Sequence, residues 1–422
     1  MKANLEGNIS LNSTIGQSVN LGTGAVMPYS EDAAKAYGNG GFKAVDAEGN
    51  AYIYGSLALA ASNSQDGKIE LLNDYSGSES LSVSSAGSYT LDLKGHTFAS
   101  THSEAALRIM GDSINLTVKN GKIISKNSDG ADVGIGPQEN PSYDNVTLVL
   151  NDVDLEVAGD YYGIVSNGTG TGNNLTLCNG TTLNVPNSVG IYWPSGDGLV
   201  SIDNSTITAH TGVQVCAGSL QITGENTKIT ATGAPEEKTE GDGVIMDGAA
   251  ISIVNRDGYQ EISSVKIQSG SYSSSSSSSA VKAYSFDSNK EEEAWEDMNN
   301  IIEISGGTFS SIPVAIRECL SENSGLKVNS DGSLSVVETT ETSNVASVTI
   351  GGKTSSYTNL ADAITAVNAA TSPVMLTLLQ GQILTDTICI NKNVNLTIDL
   401  GGNALVGPES GYAIQFGSFT KG

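Results

Sequence analysis

Cysteine, proline, arginine and aromatic residues are all scarce in this 422-residue chain. The four cysteines (Cys178, Cys216, Cys319 and Cys389) include no CxxC pair and are too sparse for a disulfide framework. Each lies in or beside an apolar, strand-like phrase, so they read as buried free thiols. With only three histidines (His96, His102 and His210), no metal centre is expected, and no other cofactor is implied. The three arginines (Arg108, Arg256 and Arg317) sit in a chain of net charge −26, the wrong sign for a phosphate-backbone binder. The same charge disfavours anionic membrane surfaces. No run of 18 apolar residues is present, so no membrane insertion is expected. Residues 1–7 lack the apolar stretch of a signal peptide.

Glycine is abundant, at 49 residues, and Leu, Ile and Val recur at short, regular spacing. That pattern suits many short strands joined by tight turns. One phrase returns again and again: Leu116-Thr117-Val118-Lys119-Asn120-Gly121, Leu175-Thr176-Leu177-Cys178-Asn179-Gly180, Ile302-Glu303-Ile304-Ser305-Gly306-Gly307. A second strand follows each turn. A third then opens with Gly and a β-branched residue in Gly134-Ile135, Gly163-Ile164-Val165, Gly190-Ile191-Tyr192, Gly212-Val213 and Gly243-Val244-Ile245, and without Gly in Pro313-Val314-Ala315-Ile316. First strands begin near residues 90, 115, 146, 174, 200, 220, 265, 302 and 326. Three short strands per ~25 residues is one turn of a three-sided parallel β-solenoid, whose stacked turns bury a continuous apolar column. Insertions are expected at residues 127–143, 233–242 and 271–299; the last carries seven consecutive serines. Nine Asn-x-Ser/Thr sequons fall mostly at strand starts and turns, where an Asn- and Thr-rich repeat explains them.

A larger unit occurs twice. Tyr54-Gly55-Ser56-Leu57-Ala58 matches Tyr357-Thr358-Asn359-Leu360-Ala361, and Ile69-Glu70-Leu71-Leu72 matches Leu376-Thr377-Leu378-Leu379. Leu91-Asp92-Leu93-Lys94-Gly95 matches Ile398-Asp399-Leu400-Gly401-Gly402, and Ala106-Leu107-Arg108-Ile109 matches Ala413-Ile414-Gln415-Phe416. Each copy opens with strands and a short Ala-rich helix, expected to cap the solenoid's open end. The division this predicts is an N-terminal β-rich segment (1–41), a first solenoid (42–340, cap at 51–63) and the start of a second (341–422, capping helix at 357–370). A second solenoid of barely one turn leads one to expect more protein, or a partner, beyond Gly422.

This order of phrases resembles right-handed parallel β-helix modules of the pectate-lyase-like superfamily, in particular tandem modules of large surface proteins from gut Firmicutes and of the phages that infect them. The resemblance covers residues 42–422 and implies display on a cell or virion surface with adhesion to glycans or cells. Residues 1–41 look like the attachment region of a phage fibre, which needs no signal peptide. On that basis the expectation is a non-enzymatic virion fibre or decoration protein. It would be held to a capsid or tail protein through residues 1–41 and would form a homo-oligomer, often a trimer. A bacterial cell-surface adhesin and a polysaccharide lyase or glycoside hydrolase are the alternatives. For catalysis, a lyase needs a base with a cation, and a glycosidase two carboxylates at fixed separation. The carboxylates here (Asp152, Asp154, Asp203, Asp257) are scattered, and no catalytic set emerges. Tyr161-Tyr162 and Tyr192-Trp193, taken as equivalent positions of consecutive turns, are the candidate platform for stacking sugar rings.

Overall fold

The computed structural model describes residues 22–236, 243–275, 277–286, 292–322, 324–338, 344–390, 395–408 and 410–417. The chain is all-β, 49% strand and 9% helix, with a long and mostly parallel sheet. It divides into two compact units, residues 1–302 and 303–422. The boundary falls well before the expected one at residue 340.

In the first unit the short phrases become three series of in-register parallel pairings. One series runs through Lys68–Leu71, Gly87–Asp92, residues 114–119, residues 147–151, Asn174–Cys178, Leu199–Asp203, Gly218–Thr223 and Ile262–Ile267. A second runs from Tyr75–Gly77 and Thr97–Ser100 through residues 122–125, 154–156, 182–185 and 206–209 to Lys228–Ala231 and Ser271–Ser273. The third links Leu81–Val83, Ala105–Ile109, Asp129–Val133, Ile164–Ser166, residues 191–193, residues 213–215, Ile251–Arg256 and Val281–Phe286. Alternation along each strand sends every second side chain inward. In the first series Leu116, Leu148, Leu175, Val200, Leu220 and Val265 are all buried in one file, and Ile69, Leu91, Val118, Leu150 and Leu177 in a second.

Two local devices hold the repeats in register. Between the first and second series, Asn120, Asp152, Asn179 and Asn204 all adopt positive φ, between 44° and 57°. Asn and Asp tolerate this left-handed corner better than other non-Gly residues. The same need accounts for several sequon asparagines, since Asn145 also has positive φ. At the entry to the third series, Gly130, Gly163, Gly190 and Gly212 stack on one another. A Cβ built on Gly163 would lie 2.2 Å from the Gly190 carbonyl oxygen and 2.7 Å from Val185 Cγ2. The Gly that opens the third strand is thus required by close backbone approach.

Several expectations about the repeats change. The third strand expected to open at Gly134-Ile135 is Asp129–Val133, inside the expected insertion at 127–143, with Gly130 in the stacked position. The third strand near residue 243 is instead Ile251–Arg256, and Val244–Met246 belongs to an insertion. Residues 313–316 form no strand, since Ala315–Cys319 is a 3-10 helix. Ser324–Val328 pairs antiparallel with Leu334–Glu338 around an Asn329–Gly332 turn, so it is a hairpin and not a further parallel repeat.

The N-terminal cap is larger than expected. Val26–Pro28 pairs antiparallel with Ala51–Tyr54, which pairs in turn with Phe42–Val45. The helix Glu31–Tyr37 is capped by Ser30, whose Oγ accepts from Ala33 N, and buries Ala34 and Tyr37. Ala25, Met27, Ala34, Tyr37 and Ile53 form one cluster. Residues 25–37 are therefore part of the cap, not of a separate segment ending at residue 41; residues 1–21 lie outside the described residues. The second helix, Leu57–Asn63, is capped by Ser56 in the same way.

The second unit rebuilds this opening. Ala346–Ile350 pairs antiparallel with Lys353–Tyr357 and Val374–Leu378, and the latter pairs parallel with Leu396–Asp399. The helix Leu360–Ala369, capped by Asn359, buries Leu360, Ala363 and Val367. One constant shift in numbering carries the first unit's parallel pairs into the second's. Ile69↔Leu91 becomes Leu376↔Ile398, Tyr75↔Phe98 becomes Gln382↔Leu405, and Leu81↔Leu107 becomes Ile388↔Ile414. The duplication seen in the sequence is thus a duplication of strand register.

Gly163→Ala is expected to destabilise the first unit by about 1–3 kcal/mol, since a new methyl must displace a backbone carbonyl. Thermal unfolding checks this, and an unchanged melting temperature would remove the close-packed glycine stack as the reason for that residue.

Candidate functional site

The outward side chains of the third series form a column: Ser82, Arg108, Asp132, Val165, Tyr192, Gln214, Ser252 and Lys282. Most of it is covered. Gln214 Nε2 donates to the Ile245 carbonyl at 2.7 Å, and its Oε1 accepts from Ile245 N at 2.9 Å. That two-point clamp lays Val244–Met246 across the column. Val165, Tyr192, Cys216, Val244, Met246, Val254, Tyr284 and Phe286 then form a second hydrophobic cluster on the outside of this sheet.

This layer overturns the aromatic platform. Trp193 faces the interior and is fully buried; Tyr192 is buried in the outer cluster, with its hydroxyl 3.0 Å from that of Tyr259. Neither offers a ring face to a sugar. The assumed equivalence also fails, because Val165 pairs with Tyr192, placing Tyr161 and Tyr162 outside the matching positions. Tyr162 is half-buried, its ring 6.1 Å from that of Tyr192, and Tyr161 alone of the four is exposed. Alternating strand geometry could have placed Trp193 inward from the sequence. Nothing local signalled that an insertion would cover Tyr192.

The same column holds an unanticipated charged group. Asp132 is 5% exposed, with Arg108 Nε at 3.4 Å, and Arg108 also contacts Glu104. Burial, reinforced by the negative charge of Asp129 and opposed by Arg108, pushes the Asp132 carboxyl up to about 8. A carboxyl that keeps its proton at neutral pH can act as a hydrogen-bond donor or acid. Arg108 was legible as part of a third strand; its pairing with Asp132 of the next repeat follows only from the stacking register.

Among the described residues, no group of three or more His, Cys, Asp or Glu could hold a metal ion, and no helix is long and apolar enough to cross a membrane. Cys216 and Cys319 are buried thiols, and burial pushes them up to about 12 and about 11 respectively. Cys389 is exposed, against expectation.

A cavity of about 280 Å³ lies where the cap meets the first repeats. Tyr37, Phe42, Tyr75 and Phe98 line it, together with Asn39, Ser76, Ser78 and Glu79. The Tyr75 and Phe98 rings stack at 4.4 Å with 15° between their planes. Tyr75 and Phe98 are themselves paired in the second series, so the stack is a product of register. Asn39 Oδ1 accepts from Ser76 N at 2.9 Å, and Glu79 N donates to Tyr75 Oη at 2.8 Å, which fixes the loop and the ring. Sequence reading missed this site because its residues come from five separate segments.

No family model, curated protein or solved structure matches the chain.

Two outcomes test these placements. Trp193→Ala is expected to cost about 3–5 kcal/mol of stability as a core truncation; an unaltered unfolding transition would return Trp193 to the surface. Asp132 releases its proton near 3.8 when unfolded and near 8 when folded. The stability it contributes is therefore complete at acid pH and is lost as pH rises from about 4 to about 8. Relative to Asp132→Asn, the native chain should lose melting temperature between pH 5 and pH 8.5; parallel profiles would show that Asp132 ionises normally.

Proposed function

We propose that the chain is a non-enzymatic fibre or decoration protein of a virion, built from right-handed, three-sided parallel β-helix modules in tandem and used to adhere to a host or glycan surface. The observation that carries this reading is the duplicated register. A capped module whose pairings recur at one constant offset is a unit for extending a chain by repetition, and length is what a projecting fibre requires. Three parallel series, with each repeat contributing one strand to each, support the three-sided winding. The net charge of −26 suits an exposed surface that must stay soluble. With residues 25–37 committed to the cap, attachment to a capsid or tail protein falls to the residues ahead of them, and homotrimerisation would present several copies of the adhesive surface.

Immunogold labelling with antibodies against the purified chain tests the assignment. Gold on virion surfaces is the expected result. Gold confined to bacterial cell walls would replace it with the adhesin reading, and release of oligosaccharides by the purified chain would replace it with an enzyme.

A further inference from the structure

We infer that the cavity between the cap and the first repeats binds a neutral, polyhydroxylated ligand the size of a single sugar ring. At about 280 Å³ it lies just below the roughly 300–1,000 Å³ of sites for drug-sized ligands, which suits one ring and not an extended chain. A pyranose presents an apolar C–H face and a rim of hydroxyls. The cavity offers matching surfaces: the half-buried Tyr75 ring, backed by Phe98, and the hydroxyls and carboxylate of Ser76, Ser78 and Glu79.

The aromatic wall is held in advance of binding. Tyr75 is stacked on Phe98 and bonded through its hydroxyl to Glu79 N. Gly77 stands beside it, where an added Cβ would come within 2.4 Å of Tyr75 Oη. A wall already fixed in place loses little entropy on binding. The charge of the lining selects the ligand class. Glu79 is the one carboxylate among the lining residues, and no Lys, Arg or His is present there. A carboxylate accepts hydrogen bonds from sugar hydroxyls but repels an acidic sugar, and the net charge of −26 adds to that repulsion.

The choice of a sugar rests on the adhesive reading above. Binding is measured here on free monosaccharides in solution, so it needs neither virion nor host. Saturation-transfer NMR of the full chain with D-glucose, D-galactose, N-acetyl-D-glucosamine and D-glucuronate is the experiment. At least one neutral sugar should give a saturable signal, and glucuronate should give none. Ser78→Trp, which fills the cavity from an exposed position, should weaken binding by about tenfold or more, the effect of losing about 1.4 kcal/mol. Glu79→Gln should weaken the neutral sugar and reduce discrimination against glucuronate, while Tyr161→Ala should change nothing. Ser78 and Glu79 are both exposed, so matched melting temperatures will show that the variants fold. The inference is overturned if no neutral sugar binds, or if Ser78→Trp binds as the native chain does. Sugar binding without gold on virions would leave the cavity standing and remove the virion assignment; gold without sugar binding would do the reverse.

Discussion

Parallel, in-register pairing between successive repeats is the constraint on which this protein depends. A single repeat of three short strands has no partner within itself for its backbone groups and no second layer for its apolar side chains. Stacked about 4.8 Å apart, each repeat gains both from its neighbours. The file of Leu116, Leu148, Leu175 and Val200 is buried because each side chain sits on the one before it. Such a file also explains why register, more than composition, is what the duplicated units share.

Corners make that stacking possible. Asn120, Asp152, Asn179 and Asn204 turn the chain at one edge by accepting positive φ, and the Gly130–Gly163–Gly190–Gly212 stack lets backbones approach at another. Pro186 falls where the register shifts between Val185 and Val189, at the passage from the second series to the third. A proline lacks the N–H that a regular ladder would use, so it is tolerated at such an irregularity. Outside the third series, a second apolar cluster is clamped down by Gln214 and encloses side chains that would otherwise face solvent. The Arg108–Asp132 pair lies on the same column but with Arg108 less deeply covered, and Asp132 is left to hold its proton.

The cap does more than end the sheet. Its antiparallel strands and helices pack against the first repeats, and the cavity forms at that junction, with its aromatic wall supplied by a cross-repeat pair. Repeats that satisfy their own neighbours leave few concave surfaces, whereas the meeting of two different packing patterns leaves one here. Cap residues from Val26 to Tyr37 escaped sequence reading because a three-residue strand and a seven-residue helix are too short for periodicity to reveal. The Ser30 cap and the Ala-rich run were the local signals available.

Much of the architecture was legible in the residues themselves. Leu-x-Leu alternation, the Asn-Gly corners and the recurrence of Tyr54-Gly55-Ser56-Leu57 as Tyr357-Thr358-Asn359-Leu360 determined an all-β repeat with a capped, duplicated module, because strand period and turn chemistry are local properties. Which face each aromatic takes in the assembled repeats, and what covers it, was decided by tertiary structure. Tyr192 and Trp193 are neighbours in sequence, yet Trp193 enters the core while Tyr192 lies beneath Val244 and Met246, from an insertion far along the chain. The hairpin at Ser324–Val328 shows the same limit, since its apolar phrase fits a parallel or an antiparallel partner equally well. Burial of Asp132 beside Arg108, and the stack of Tyr75 on Phe98, likewise depend on which repeat lies against which. That information resides in pairing across the fold and not in any one segment.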